Sequence, residues 1–183
     1  MNSINVIAIS GSIRDKSTNT YLLQQAAQLA PAHIKIQLLD IANIPFFNAD
    51  LLAMPLPEAI NNLQTALTNT DALIIATPEY NYSITGVLKN TLDWISAMQP
   101  NPLDNKAVSI MGVSSGSIGT ARAQLHLRHI LSFMNAYAVN RPEVIVSNSA
   151  DKFDKNGKII DQTTLMYLAQ NLEQLYKLQQ QLA

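Results

Sequence analysis

Short apolar runs alternate with longer stretches in which apolar residues return every three or four positions, and the alternation repeats along the chain. Residues 4–9 (INVIAI) form the first run, closed by Ser10 and Gly11, and read as a buried strand. Leu22, Ala26 and Leu29 then share a helical face that ends before Pro31. Residues 34–39 alternate and predict a second strand. A loop with Pro45, Pro55 and Pro57 follows, and Ile60, Leu63 and Leu67 mark a second helix. Residues 72–76 (ALIIA) predict a third strand, stopped by Thr77 and Pro78, and residues 87–98 a third helix. Residues 107–113 (AVSIMGV) are a fourth strand, and Leu127, Ile130, Leu131 and Met134 mark the next helix. A short fifth strand is expected over 144–146, and Leu165, Leu168, Leu172 and Leu175 mark a long C-terminal helix.

Strands that alternate with helices imply right-handed crossovers and a parallel sheet covered on both faces. Five strands suit a flavodoxin-like three-layer α/β sandwich with order 2-1-3-4-5, spanning residues 1–183 as a single domain. Ligands of such sheets sit beyond the carboxyl ends of the strands, at the switch point between strands one and three. The loops after strands one, three and four are therefore the places to look for chemistry.

Composition narrows the function classes. The chain has 183 residues, with 48% hydrophobic and 14% charged, an ordinary globular balance. Its formal net charge of -1 gives no basic field for nucleic acid. Cysteine is absent, which excludes disulfides, thiolate nucleophiles and Cys-ligated metals, and fits a reducing cytoplasmic compartment. The opening MNSINVIAIS has no basic region and reads as a strand, not a signal peptide. No apolar stretch is long enough for a membrane span.

The loop after strand one runs Ser10, Gly11, Ser12, Ile13, Arg14, Asp15, Lys16, Ser17, Thr18, Asn19, Thr20. It leads from a strand into a helix N-terminus, where free amides and the helix dipole favour an anion. Ser12, Ser17, Asn19 and Thr20 add neutral donors and Arg14 adds a cationic fork, which together suit a phosphate monoester. The plain alternative is a polar turn in which Ser17 or Asn19 simply caps the helix. The loop lacks both the GK[ST] of a P-loop and the repeated glycines of a dinucleotide fingerprint.

The loop after strand three reads TPEYNYSITGVLKN from Thr77. Its tyrosines and asparagine offer stacking surface and edge-directed hydrogen bonds to a flat heteroaromatic ring. Equally, a Pro-initiated turn could pack its tyrosines on neighbouring loops. The loop after strand four, Ser114, Ser115, Gly116, Ser117, Ile118, Gly119, Thr120, reads either as a ligand loop or as a polar connection.

Taken together, GSIRDKSTN and TPEYNYSITGVLKNTLDW resemble the NADPH-dependent FMN reductase family, the group that includes bacterial chromate, quinone and azo-dye reductases. The resemblance rests on the pattern G-S-x-R-x-x-S-x-N, here Gly11, Ser12, Arg14, Ser17 and Asn19. It rests also on P-E-Y-N at Pro78, Glu79, Tyr80 and Asn81, followed by the helix entry from Gly86 to Asn90. It implies an FMN cofactor held by its phosphate at the first loop, from Ser10 to Thr20. It implies that Pro78, Glu79, Tyr80 and Asn81 lie along the isoalloxazine, with Ser115, Gly116 and Ser117 at its other edge. Thr120 departs from the second glycine that related sequences often carry there.

The implied activity is a ping-pong oxidoreductase. NADPH or NADH gives a hydride to the flavin, whose N5 carries it, and a quinone, flavin or similar small acceptor then takes the electrons. No catalytic side chain is required, and Glu79 reads as structural rather than as a base. Homodimers or homotetramers are expected from the resemblance, with Arg122, Arg128, Tyr137 and Glu143 as candidates for contacts between subunits. Asp93 and Trp94 read as helix packing or an interface. His126 and His129 share a helix face without an evident third ligand, so they read as surface or subunit contact rather than a metal site. Two other classes stay open: a flavodoxin-type electron carrier, disfavoured by the near-neutral charge, and a non-flavin α/β protein that binds a phosphorylated metabolite.

Overall fold

The computed structural model describes residues 2–183. Its sheet holds β1 (Ile4–Ser10), β2 (Ile34–Leu39), β3 (Ala72–Ala76), β4 (Ala107–Val113), β5 (Tyr137–Ala138) and β6 (Val144–Val146). The helices are α1 (Thr18–Leu29), α2 (Glu58–Thr68), α3 (Gly86–Ala97), α4 (Ala121–Phe133), α5 (Ser149–Lys152) and α6 (Gln162–Leu182). Every pairing is parallel and the order is β2-β1-β3-β4-β5, with β6 also on β4. The expected flavodoxin-like topology is thus present. None of the helices is long and apolar enough to cross a membrane among the described residues.

Strand residues alternate between two cores. Val6, Ala8 and Ile74 face α1 and α6, where Leu22, Leu23, Ala26, Leu168, Leu172 and Leu175 meet them. Ile7, Ile9, Leu73 and Ile75 face α2, α3 and α4, against Leu63, Leu67, Leu88, Leu92 and Leu127. With both faces covered, every residue of β3 and β4 is buried, and this is why those runs read as continuously apolar. Each fully buried leucine or isoleucine contributes roughly 1.5–3 kcal/mol. Leu29 departs from its expected face: it is the last residue of α1 and 41% exposed, and Leu23 takes its place in the core.

The fifth position of the sheet is filled by two segments. Tyr137 and Ala138 pair with Ala107 and Val108, while Val144, Ile145 and Val146 pair with Met111, Gly112 and Val113. Between them the chain leaves the ladder around Pro142, which lacks an N–H to donate. Side chains satisfy the carbonyls there: Arg128 Nη2 donates to Val139 O at 2.9 Å and Asn171 Nδ2 to Pro142 O at 2.8 Å. The sequence pattern announces only the second segment, because a two-residue strand has no periodicity. Trp94 is buried in α3, and its Nε1 donates to Pro45 O at 2.8 Å, pinning the loop after β2. Asp93 pairs with Lys89 along the same helix at 2.6 Å.

The long α6 begins at a charged cap. The Asp161 carboxylate accepts from Thr164 N–H at 2.9 Å and from Lys152 Nζ at 2.7 Å. The Lys152 and Thr164 side-chain hydrogen bonds lower its pKa from 3.8 to about 2. A carboxyl held below its unfolded value contributes stability that is complete above that value and is lost as pH falls towards the folded one. Stability carried by Asp161 is therefore expected to fade between about pH 4 and pH 2. Urea unfolding across this range should show that Asp161→Asn is less stable than wild type at pH 6 and converges on it as the pH falls to 2. A constant gap down to pH 2 would mean that another group carries the acid sensitivity.

Candidate functional site

Three loops leave the carboxyl ends of β1, β3 and β4, and hydrogen bonds lock them to one another. The Gly11 N–H donates to Ala76 O at 2.7 Å, and the Thr85 hydroxyl donates to Gly11 O at 2.6 Å. A Cβ on Gly11 would lie 3.1 Å from Thr77 Oγ1 and 3.2 Å from Leu88 Cδ2. Glycine serves here by letting the exits of β1 and β3 press together, since the left-handed residue of this loop is Lys16 at φ 55°.

The first loop divides its residues between an inward and an outward role. Ser17 is the N-cap of α1, its hydroxyl accepting from Thr20 N–H at 3.4 Å. Asn19 is 2% exposed, and its amide exchanges two hydrogen bonds with Val113 of β4, both at 2.9 Å. Neither side chain faces outward; what these positions offer a ligand is main chain, because the Thr18 and Asn19 N–H groups have no intrahelical acceptor. Ser10, Ser12 and Thr20 are brought together: Ser10 Oγ accepts from Thr20 Oγ1 at 3.0 Å and from Ser12 N–H at 3.3 Å. Arg14 is exposed and has no ion-pair partner among the described residues.

Pro78 is buried, and the Glu79 side chain caps α4. Its Oε2 accepts from the N–H groups of Arg122 at 2.9 Å and Ala123 at 3.1 Å, and its Oε1 from Arg122 Nε at 2.8 Å. The carboxylate thus meets the positive end of a helix and a guanidinium together. Thr120, the N-cap residue of α4, makes no side-chain cap of its own. It is fully buried and accepts from Gln124 Nε2 at 3.0 Å. Thr120 fits because residue 112 is glycine: a Cβ there would fall 2.3 Å from Thr120 Oγ1 and 2.3 Å from Thr77 O.

After Glu79 the chain makes a two-residue hairpin. Tyr80 and Ser83 exchange backbone hydrogen bonds at 2.9 and 3.0 Å, and Asn81 and Tyr82 between them take φ values of 51° and 66°. Positive φ at both central positions is the type I′ pattern, which favours Asn-Gly rather than Asn-Tyr. The turn presents two exposed rings, Tyr80 at 53% and Tyr82 at 65%. Arg122 lies over the Tyr82 ring with Cζ 3.8 Å from its centroid, and His126 Nδ1 is 3.1 Å from Ser83 Oγ. The third loop exposes Ser115, Gly116 and Ser117, braced beneath by Ser114 Oγ donating to Gly119 O at 2.7 Å.

The sequence marks Arg122 only as a candidate for subunit contacts and both tyrosines as stacking surface, and it leaves Thr85 without a role and the turn at Tyr82 unmarked. Thr85 was findable, as a threonine before a helical run. The turn at Tyr82 was not, since a tyrosine at positive φ runs against local preference. The assembled surface joins a polar, cationic cluster at a helix N-terminus to a pair of exposed aromatic faces. It can hold an anion at one end and border a flat ring at the other.

Comparison with known proteins places the whole chain beside flavin-linked reductases. The model of the NADPH-dependent FMN reductase family matches residues 4–151. An NAD(P)H-dependent FMN reductase of Pseudomonas aeruginosa is 42% identical over 172 residues, covering 94% of this chain and 93% of its own. A quinone reductase of Escherichia coli is 38% identical over 172 residues, covering 92% of each. Among solved structures, FerB from Paracoccus denitrificans, a flavoenzyme NAD(P)H:(acceptor) oxidoreductase, superposes with a TM-score of 0.88 at 29% identity, covering 97% of this chain and 98% of its own.

Glu79→Ala leaves two first-turn amides of α4 and the Arg122 side chain without their acceptor. The expected loss is about 1–3 kcal/mol of stability, read from urea unfolding at neutral pH. An unchanged midpoint would mean that α4 starts without this cap.

Proposed function

The chain belongs to the NADPH-dependent FMN reductase family, and from that premise we propose that it is an FMN-dependent NAD(P)H oxidoreductase that reduces a quinone or similar small acceptor by ping-pong exchange. The observation that carries this reading is the donor set at the start of α1: the Ser10, Ser12 and Thr20 cluster, two free main-chain N–H groups and the unpaired Arg14. Such a set suits a dianionic phosphate monoester. The exposed faces of Tyr80 and Tyr82 and the approachable backbone at Gly116 suit a flat ring at the other end. The residues present therefore fit FMN.

When bound, the flavin supplies the redox chemistry, taking a hydride equivalent from NAD(P)H and returning electrons to the acceptor. The chain's own residues bind, orient and border it. Arg14, Ser12 and the amides of Thr18 and Asn19 would hold the phosphate; Ser17 and Asn19 hold the loop itself through their inward side chains. Tyr80, Asn81 and the Ser115–Gly116–Ser117 segment would border the ring, while Pro78 fixes where the turn begins. Glu79 serves the α4 terminus, where its carboxylate accepts three hydrogen bonds. An open aromatic border fits acceptors of loose shape, such as quinones.

Arg14→Ala is expected to weaken FMN binding by roughly 10- to 100-fold, the worth of one charge-assisted hydrogen bond. The thermal midpoint should not move, since Arg14 is exposed and unpaired. Titration of the apoprotein with FMN, followed anaerobically by NADPH, measures both halves of the proposal. Flavin that binds and bleaches with NADPH or NADH supports the reductase, whereas bound flavin that neither coenzyme bleaches would make the protein an electron carrier. An unchanged flavin affinity in Arg14→Ala would remove Arg14 from the phosphate site.

A further inference from the structure

A cavity of about 210 Å³ opens between the loop after β1 and the end of β2. Pockets that enclose whole drug-sized ligands run to roughly 300–1,000 Å³, so this one has room for a single ring system. Its wall is mainly apolar, from Leu23, Leu38, Leu39 and Ile41. Two apolar side chains on it are left open to water: Ile13 is 58% exposed and Leu38 36%.

Its polar groups define the guest further. Ser10, Ser12 and Thr20 line it, and these are the hydroxyl residues of the proposed phosphate loop. A ring held here would therefore hang from a phosphate. Asp40, directly after β2, also lines the cavity. Its Oδ1 accepts from Ala42 N–H at 2.9 Å, and its Oδ2 has no partner among the described residues. Asp40 is exposed, and a carboxylate oxygen accepts, so a guest that brings an N–H or O–H donor would be matched there. In other doubly wound sheets a carboxylate about this far along the chain takes ribose hydroxyls. An apolar ring with amine or ribose donors, carried on a phosphate, is adenosine in a phosphate ester.

We infer that this cavity is an adenosine subsite, through which the protein holds the adenylate half of flavin adenine dinucleotide beside the site that takes FMN. The inference rests on the flavin reading above. The same adenosine chemistry is carried by NAD(P)H, which is the second source of the guest.

The test titrates apoprotein with FMN and with FAD for wild type, Leu38→Trp and Asp40→Asn. Leu38→Trp fills the cavity from a partly exposed position on edge strand β2, and Asp40→Asn keeps the acceptor for Ala42 while losing the charge. Wild type should bind FAD within about tenfold of FMN; Leu38→Trp should weaken FAD at least tenfold, and Asp40→Asn by about three- to tenfold, with FMN affinity unmoved in both. If wild type rejects FAD but FMN-loaded Leu38→Trp shows a KM for NAD(P)H raised about tenfold at constant kcat, the adenosine comes from the nicotinamide coenzyme. FMN binding with neither effect overturns the subsite and leaves the flavin reading intact. Failure to bind either flavin overturns both.

Discussion

One buried side chain holds the site in register. Asn19 gives and takes a hydrogen bond with the main chain of Val113, joining the first turn of α1 to the last residue of β4. Those two strand-end groups lie where the β4 ladder is giving out, and they are buried. Left unpaired, each would cost about 1–3 kcal/mol. A parallel sheet delivers the carboxyl ends of its strands to one edge, but it does not fix how the loops beyond that edge are placed. Asn19 does so for the first loop, directing its amides outward by turning its own side chain inward.

The same logic recurs at α4. A local residue, Thr120, stands at the capping position, yet the cap comes from Glu79, more than forty residues earlier. The exchange has a steric origin. Thr120 is buried against Gly112 and bonded to Gln124, so its hydroxyl is not available to its own helix. A distant carboxylate fills the vacancy and, through Arg122, gains an ion pair that leaves little of its charge unpaired. The start of α4 and the loop after β3 are thereby made one unit.

These long-range pairings mark the limit of what the sequence makes legible. The sheet order and the buried strands follow from runs such as ALIIA and AVSIMGV, because burial on both faces is a local compositional signal. The proposed phosphate loop is legible for the same reason: its donors are contiguous, and the strand-to-helix context is readable around them. The division of labour inside it is not. Nothing local separates Asn19, bonded into the sheet, from Ser12, beside the hydroxyl cluster, since both are polar residues in one polar loop. The split fifth position escapes likewise, because Tyr137–Ala138 is a strand only by virtue of the β4 edge it meets.

The Asn81–Tyr82 turn shows how such a site can hold a conformation that its residues resist. A non-glycine residue in the left-handed region costs on the order of 1–3 kcal/mol, and the cost falls harder on tyrosine than on asparagine. Two backbone hydrogen bonds between Tyr80 and Ser83 close the turn. Stacking of Arg122 on Tyr82 returns about 0.5–1 kcal/mol at an exposed position. That stacking needs the guanidinium to stay in place, and Glu79 holds it there. The exposed rings therefore owe their position to the α4 terminus rather than to their own sequence. A flat surface of exposed rings cannot be stabilised by its own burial. Here it is stabilised from behind, by a carboxylate that itself lies almost wholly out of water.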